Sequence, residues 1–299
     1  MKYVIGIDAG GTKTKAVVLN NAKDILFEAD AGYGNPVIDF EIAFNHLQKV
    51  IKECLHSPFG ERCKCIVAGI AGIEASQHRQ MMKNELEKIF QIPVILMNDA
   101  QLAFYAALHR QDGVLTISGT GSVSIGKKGD HLTYAGGWGH LLGDEGSAYD
   151  IAIKACKQIT YEADTGSPYS PLSTALMEKL QIQEAEQLKN YIYHSPKSDI
   201  ASLSYVVDVL ANQGDEQSLS LLKTAGEDLA NQTIMLIHKL QLAKPYLIGY
   251  KGSMLEKNEH VQRSFITTLK EKLEDMIIIQ EADAPAIGAV FVAQEKDCF

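Results

Sequence analysis

The sequence predicts an α/β protein of two lobes, the second carrying a helical insertion. Three observations lead there. The chain has 299 residues, a length at which single cores stop growing and chains divide. Apolar strand-like runs alternate with helical patterns through the first third. The plan of the opening then recurs: "IDAGGTKTKAVVLNNAKDILFEA" and "TISGTGSVSIGKKGDHLTYA" both read strand, Gly-Thr turn, strand, polar turn, strand. The likeness is of plan rather than identity, and repetition of this kind points to duplicated lobes.

The elements follow in order. KYVIGID, TKAVVLN and ILFEADA read as strands, the last after the NAKD turn. A helix around residues 42–55, a strand at CIVAGIAG and a helix around 77–90 come next. PVILMND is a strand ending on polar residues, and AQLAFYAAL opens another helix. The pattern begins again with GVLTISG, SVSIGKK and HLTYAGG. From residue 145 to about 240 the chain is mostly helical. Leu203, Val206, Val207 and Leu210 form a stripe at helical spacing, which predicts lobe core. Residues 166–171 and 195–197 read as loops. KPYLIGYKG resumes as a strand, a helix spans about 255–273, and MIIIQ is a short strand. PAIGAVFVAQ is a final helix with Pro at its start.

Composition narrows the function classes. The net charge of -9 and scattered Lys and Arg exclude a non-specific nucleic-acid binder, which needs a basic face to displace counterions. No apolar run approaches the roughly 20 residues of a membrane span. The opening MKYVIGIDAGG meets Asp and Gly too early for a signal peptide. Five cysteines, an odd number, are expected as free thiols of a cytoplasmic protein. Cys63 and Cys65 would share one face of a strand, with no further Cys or His pair nearby to complete a zinc site.

Two common nucleotide motifs fail. Gly6 and Gly11 have P-loop spacing, but Thr12 replaces the lysine and a strand follows instead of a helix. After Gly119 and Gly121 the third glycine of a dinucleotide fingerprint is Ser124. What remains is a hairpin tip, Asp8 to Thr14, in which Gly10 and Gly11 are expected to allow positive φ so that backbone N–H groups converge on an anion. Thr12 and Thr14 add hydroxyls and Lys13 adds charge, while Asp8 could hold Mg²⁺ through water. The tip recurs as Ser118-Gly119-Thr120-Gly121-Ser122. One such hairpin is ordinary; a pair at equivalent places in repeated lobes suggests a polyphosphate gripped from both sides. Asp99, ending PVILMND at the carboxyl edge of the predicted sheet, can take a proton from a hydroxyl attacking a γ-phosphate. It could equally cap the helix that follows, a role open to Asn98 as well.

The segment GGWGHLLGDEGSAYD, residues 136–150, joins glycines, acids and the sole tryptophan. Its glycines allow backbone to approach a hydroxyl-rich ligand, Trp138 can lie against a sugar ring, and Asp144 can accept from its hydroxyls. Glu145 and Ser147 read as caps of the following helix. His140 reads as structural.

Together "GIDAGGTKTKAVV", "GYGNP", "MNDA", "ISGTGS" and "GGWGHLLGDEGSAYDIA" resemble the N-acetylglucosamine kinase branch of the BadF/BadG/BcrA/BcrD-type proteins, within the actin, Hsp70 and sugar-kinase superfamily. The resemblance runs over nearly the whole chain. It implies two ribonuclease H-like lobes, each with a mixed five-stranded sheet, around a central cleft that takes ATP and Mg²⁺. The lobes would comprise residues 1–110 with 284–299, and residues 111–283. The final helix would return to the first lobe. The resemblance places Gly10, Gly11, Thr12, Lys13 and Thr14, with Gly119, Thr120 and Gly121, at ATP. It sets Gly252 and Ser253 of GYKGSML at adenosine, although Gly249 and Gly252 are spaced more widely than the family's usual glycine pair. Asn35, Asp99, Gly137, Trp138 and Asp144 match amino-sugar positions, with Asp99 the catalytic base. The implied activity is ATP-dependent phosphorylation of N-acetylglucosamine or a close amino sugar at the 6-hydroxyl. N-acetylmuramic acid, glucosamine and glucose are alternatives, as is an ATP-gated activator or sensor. The zinc motif of ROK sugar kinases is missing, and the five cysteines do not match the cluster-bridging arrangement of the dehydratase activators. The family often forms homodimers, but the sequence marks no interface.

Overall fold

The computed structural model describes residues 2–74, 76–280 and 283–298. The chain divides into two units, Met1–Asp112 with Ile279–Phe299, and Gly113–Ile278.

The first unit opens with strands β1 (Tyr3–Ala9), β2 (Thr14–Leu19) and β3 (Ile25–Ala31). Helix α1 (Phe40–His56) leads to β4 (Cys63–Ile70), and α2 (Arg79–Phe90) to β5 (Val94–Met97) and α3 (Asp99–Leu108). The sheet order is β3-β2-β1-β4-β5. Short turns make β1, β2 and β3 antiparallel, whereas the helical crossovers make β4 parallel to β1 and β5 parallel to β4. Helix α1 begins two residues before its expected start because the Asp39 carboxylate accepts from Ile42 N at 3.0 Å. Ile5, Ile7, Val18 and Ile66 of the sheet pack with Leu47, Val50 and Ile51 of α1 and Met82 and Leu86 of α2. Cys54 and Cys63 lie in this core as free thiols. Contrary to expectation, Cys65 does not share the face of Cys63, because a register shift pairs Cys63 with Tyr3 and Cys65 with the next residue, Val4. Cys65 is a free thiol buried on the other side, beside Cys298. Burial pushes Cys54, Cys63 and Cys65 up to about 12, 11 and 12 respectively, so they are inert packing groups at neutral pH.

The second unit repeats the hairpins as β6 (Gly113–Ser118), β7 (Ser122–Lys128) and β8 (His131–Gly136). The helical insertion comprises α4 (Ala148–Thr165), α5 (Pro171–Leu180), α6 (Gln187–His194), α7 (Lys197–Ser202), α8 (Ser204–Asn212) and α9 (Glu216–Leu240). Strand β9 (Tyr246–Lys251), helices α10 (Ser253–Glu256) and α11 (Glu259–Lys272) and strand β10 (Met276–Ile279) follow. The sheet order is β10-β9-β6-β7-β8, with β6/β7 and β7/β8 antiparallel and β6/β9 parallel. The expected stripe is core: Leu203 and Val207 are buried, and Val206 and Leu210 pack against them.

Further expectations need correction. The helix expected over 255–273 is broken in two, because the Asn258 side chain accepts from Val261 N at 2.9 Å and restarts it as α11. Pro171 and Lys197, both expected in loops, are the first residues of α5 and α7.

The chain then returns to the first unit as α12 (Gly288–Glu295), packed on α3 and β1. A side chain at Gly288 would strike the Leu102 carbonyl, and one at Gly6 would strike Ala286. Both glycines are there for close approach. Among the described residues no helix is long and apolar enough to cross a membrane.

Candidate functional site

In the first unit the parallel strands end at one edge, where open α/β sheets place ligands. Asp8 of β1 stands opposite Gly69 of β4, which stands opposite Met97 of β5; Asp99 follows two residues on. The sequence left the helix cap undecided between Asn98 and Asp99. Asn98 takes it. Its Oδ1 accepts from Ala100 N at 2.9 Å, and its own N–H donates to Gln101 Oε1 at 3.2 Å, closing a capping box. Asp99 is thereby not needed as the cap, although its Oδ1 also accepts from Ala100 N at 3.0 Å.

Both carboxyls hold protons more tightly than usual. Burial raises Asp99, the backbone N–H groups of Ala100 and of Asp99 itself pull it back, and the Glu74 charge raises it further. Asp8 is pushed up to about 6, first by burial and then by the charge of Asp99, against the opposing pull of Lys13. Two carboxylates crowded in this way suit a divalent cation, and Mg²⁺ is commonly held by one or two carboxylates plus substrate phosphates. Among the described residues no group of three or more His, Cys, Asp or Glu could hold a metal.

Asn35 reaches the same edge. Its side chain accepts from Val37 N at 2.9 Å. A β-carbon on Gly72, just past β4, would stand 2.5 Å from Asn35 Oδ1. Gly72 has φ +74°, so glycine is required there by torsion and by space.

The β1–β2 tip is open. Gly11, Thr12 and Lys13 are exposed, and a β-carbon at Gly11 would meet nothing within 4 Å. Contrary to expectation, neither Gly10 nor Gly11 has positive φ. The tip closes by Gly10 N donating to Lys13 O at 2.9 Å. Thr14 is fully buried; its hydroxyl finds no hydrogen-bond partner among the described residues.

The corresponding tip of the second unit is braced on several sides. Ser118 Oγ donates to Gly146 O at 2.9 Å, and Ser122 Oγ to Glu145 O at 2.8 Å. Ala148 N donates to Gly119 O, and Gly137 N to Ser122 O. Asp144, only 3% exposed, accepts from Ser122 N at 3.2 Å through Oδ1 and pairs with Lys197 Nζ at 2.6 Å through Oδ2. Gly119 and Gly121 do not have positive φ either. Space is what demands Gly121, where a β-carbon would stand 2.8 Å from Lys197 Nζ and 2.9 Å from Asp144 Oδ2. Gly252, with φ +93°, has no room for a side chain against the Ser118 backbone. Gly252 and Ser253 therefore abut this tip. Beside them opens a cavity of about 370 Å³ lined by Thr120, Ser198, Ser202, Tyr205, Asp208, Ser253, Met254, Lys257 and Asn258.

The loop after β8 presents Trp138 at 75% exposure, with Leu141 and Leu142 also exposed. The His140 ring packs edge-on against Tyr149, 4.9 Å between centroids. Ser147 caps α4, but the carboxylate that reaches back to the loop is Asp150, accepting from Gly146 N at 2.9 Å, and not Glu145.

The structure thus gathers Asp8, Asn35 and Asp99 in the first unit, and Gly119–Gly121, Asp144, Gly252 and Ser253 in the second. Lys197 was missed, as was the cavity lining apart from Thr120 and Ser253. No motif surrounds them, and the only hint was Pro196 before a polar, helix-compatible run.

A family model for the BadF/BadG/BcrA/BcrD ATPase family matches residues 5–293. The N-acetylmuramic acid/N-acetylglucosamine kinase of Clostridium acetobutylicum is 30% identical over 307 aligned positions, covering 99% of each chain. The N-acetyl-D-glucosamine kinase of Dictyostelium discoideum is 27% identical over 97% of each. A solved structure from Chromobacterium violaceum matches 98% of this chain and 99% of its own with a TM-score of 0.75 at 21% identity, a likeness of fold.

Proposed function

The chain belongs to the BadF/BadG/BcrA/BcrD ATPase family, and we propose that it is an amino-sugar kinase transferring the γ-phosphoryl group of ATP to N-acetylglucosamine at its 6-hydroxyl. The observation that carries this reading is the state of Asp99. It lies at the carboxyl end of a parallel strand, is relieved of capping by Asn98, and has a raised proton affinity. Those are the properties of a general base. The full-length relatives named as amino-sugar kinases support the substrate class.

In the proposed reaction Asp99 accepts the sugar hydroxyl proton as that oxygen bonds to the γ-phosphorus. The bond from the γ-phosphorus to the β–γ bridging oxygen breaks, and ADP leaves. Little covalent work falls to the protein in such a transfer; positioning and charge dominate. Asn35 in the first unit, and Gly137, Trp138 and Asp144 in the second, are the proposed sugar-binding residues. Asp144 has both oxygens engaged, yet a carboxylate has further lone pairs for a hydroxyl. Gly10, Gly11, Thr12 and Lys13 form one proposed phosphate loop. Glycines that nothing in the fold demands at Gly10 and Gly11 make sense where a ligand packs against backbone. Thr14 is assigned to the same loop, though its burial makes it a support for the tip. Gly119, Thr120 and Gly121 form the other loop, with Gly252 and Ser253 at the adenosine side and the adjoining cavity as its pocket. Mg²⁺ held near Asp8 would supply charge neutralisation for the phosphates.

An assay coupling ADP release to a panel of N-acetylglucosamine, N-acetylmuramic acid, glucosamine and glucose tests the proposal. ADP release that depends on an amino sugar is expected. ATP hydrolysis indifferent to every sugar would overturn it in favour of an activator or sensor.

A further inference from the structure

The two phosphate loops differ in one respect. The first carries its own cation, Lys13, whereas Ser118-Gly119-Thr120-Gly121-Ser122 contains none. Moreover, the second loop has a buried carboxylate against it, since Asp144 accepts from Ser122 N. A negative group at that place repels a polyphosphate unless it is balanced. Lys197 balances it. The lysine arrives on α7, from a remote part of the chain, and sets its ammonium 2.6 Å from Asp144 Oδ2. The same nitrogen stands 2.8 Å from the point a Gly121 β-carbon would occupy, so it lies directly on the tip. Its Nζ also stands over the Tyr149 ring, 6.0 Å from the centroid. The next residue, Ser198, lines the cavity that also contains Thr120 and Ser253. Lys197 does not line that cavity itself but stands beside it, one residue before Ser198 and against the Gly121 end of the tip. Its side chain is about one-third exposed, and an ammonium has three donors, of which Asp144 takes one.

We propose that Lys197 is the cation of the second phosphate loop, donating to the terminal phosphates of the nucleotide while Asp144 holds it in place. This rests on the reading of the chain as an ATP-dependent kinase and adds a binding residue to it. The pair works as a preset arm: Asp144 fixes the ammonium, so little side-chain freedom is lost when phosphate arrives. Charge-assisted contacts of this kind are the stronger class of hydrogen bond.

Calorimetric titration of the full chain with ATP plus magnesium, and separately with AMP, tests the assignment. Lys197→Gln should weaken ATP about ten- to hundred-fold and leave AMP within about two-fold, because AMP lacks the terminal phosphates. Lys197→Arg should recover most of the ATP affinity. Because Lys197→Gln leaves Asp144 unpaired, the double variant Lys197→Gln, Asp144→Asn keeps the site neutral and provides a folded comparison. It should remain weak for ATP. Restoration of wild-type ATP affinity in the double variant would show that Lys197 only screens Asp144, and would overturn the contact. Equal loss of ATP and AMP, or no loss of either, would overturn it too. These outcomes concern Lys197 alone; a wild-type chain that binds no ATP would remove the kinase reading itself.

Discussion

The β1–β2 and β6–β7 tips share a plan but differ in what holds them. The first is exposed: a β-carbon added at Gly11 would meet nothing within 4 Å, and the bend is tied by backbone hydrogen bonds alone, Gly10 N to Lys13 O and Gly34 N to Gly10 O, each 2.9 Å. The second is held by Ser118, Ser122, Asp144, Gly252 and Lys197. A glycine-threonine bend can thus be held by backbone hydrogen bonds alone or be braced by side chains as well. Fewer side chains preset the first bend than the second for a ligand. Asp8 lies in the strand that leads into the open tip; the ion pair of buried Asp144 with partly exposed Lys197 borders the braced one.

Several substitutions break or sharpen this contrast. The largest expected effect is at Asp99. Because Asn98 is the cap, Asp99→Asn should fold normally while turnover falls on the order of 10²–10⁴-fold, read by coupled ADP release alongside a thermal melt. Near-wild-type turnover would remove Asp99 as base.

Asp8 comes next, through pH. Its carboxyl is raised from the ordinary 3.8 to about 6 in the fold, so the native state favours the protonated acid. That contribution is fully present below about pH 4 and is lost as pH rises through about 6. Without nucleotide and metal, stability should therefore decline across that window by roughly 2–3 kcal/mol from this group. Asp8→Asn should remove the decline, as seen in denaturant melts of both proteins at pH 4 and 7.

The glycines give the direct contrast. Gly121→Ala must displace Lys197 or Asp144 and should destabilise by about 1–3 kcal/mol. Gly11→Ala, with open space and no positive φ, should change stability by less than about 0.5 kcal/mol yet weaken ATP binding. Melts and titrations of the two variants would show whether the bends differ as described. Equal destabilisation of both would erase the distinction.

Much of this was legible in sequence. Short β-branched apolar runs such as TKAVVLN marked the strands, and the repeated hairpins marked the two units. What sequence left open had physical reasons. Asn98 and Asp99 have the same capping chemistry, so only the hydrogen bonds to Ala100 and Gln101 could choose between them. Glycines at the tips suggested unusual torsions, but a sequence cannot distinguish torsion from space, and space is what Gly121 needs. The break at Asn258 was hidden because the apolar periodicity continues across it. Lys197 was invisible because its contact with Asp144 is long-range and lies outside any motif.

The most direct test of the kinase account is phosphorus NMR of the chain incubated with ATP, magnesium and N-acetylglucosamine. The account predicts a sugar 6-phosphate resonance growing in step with ADP, and growing on the order of 10²–10⁴-fold more slowly with Asp99→Asn. ADP and free inorganic phosphate without any sugar phosphate would contradict it.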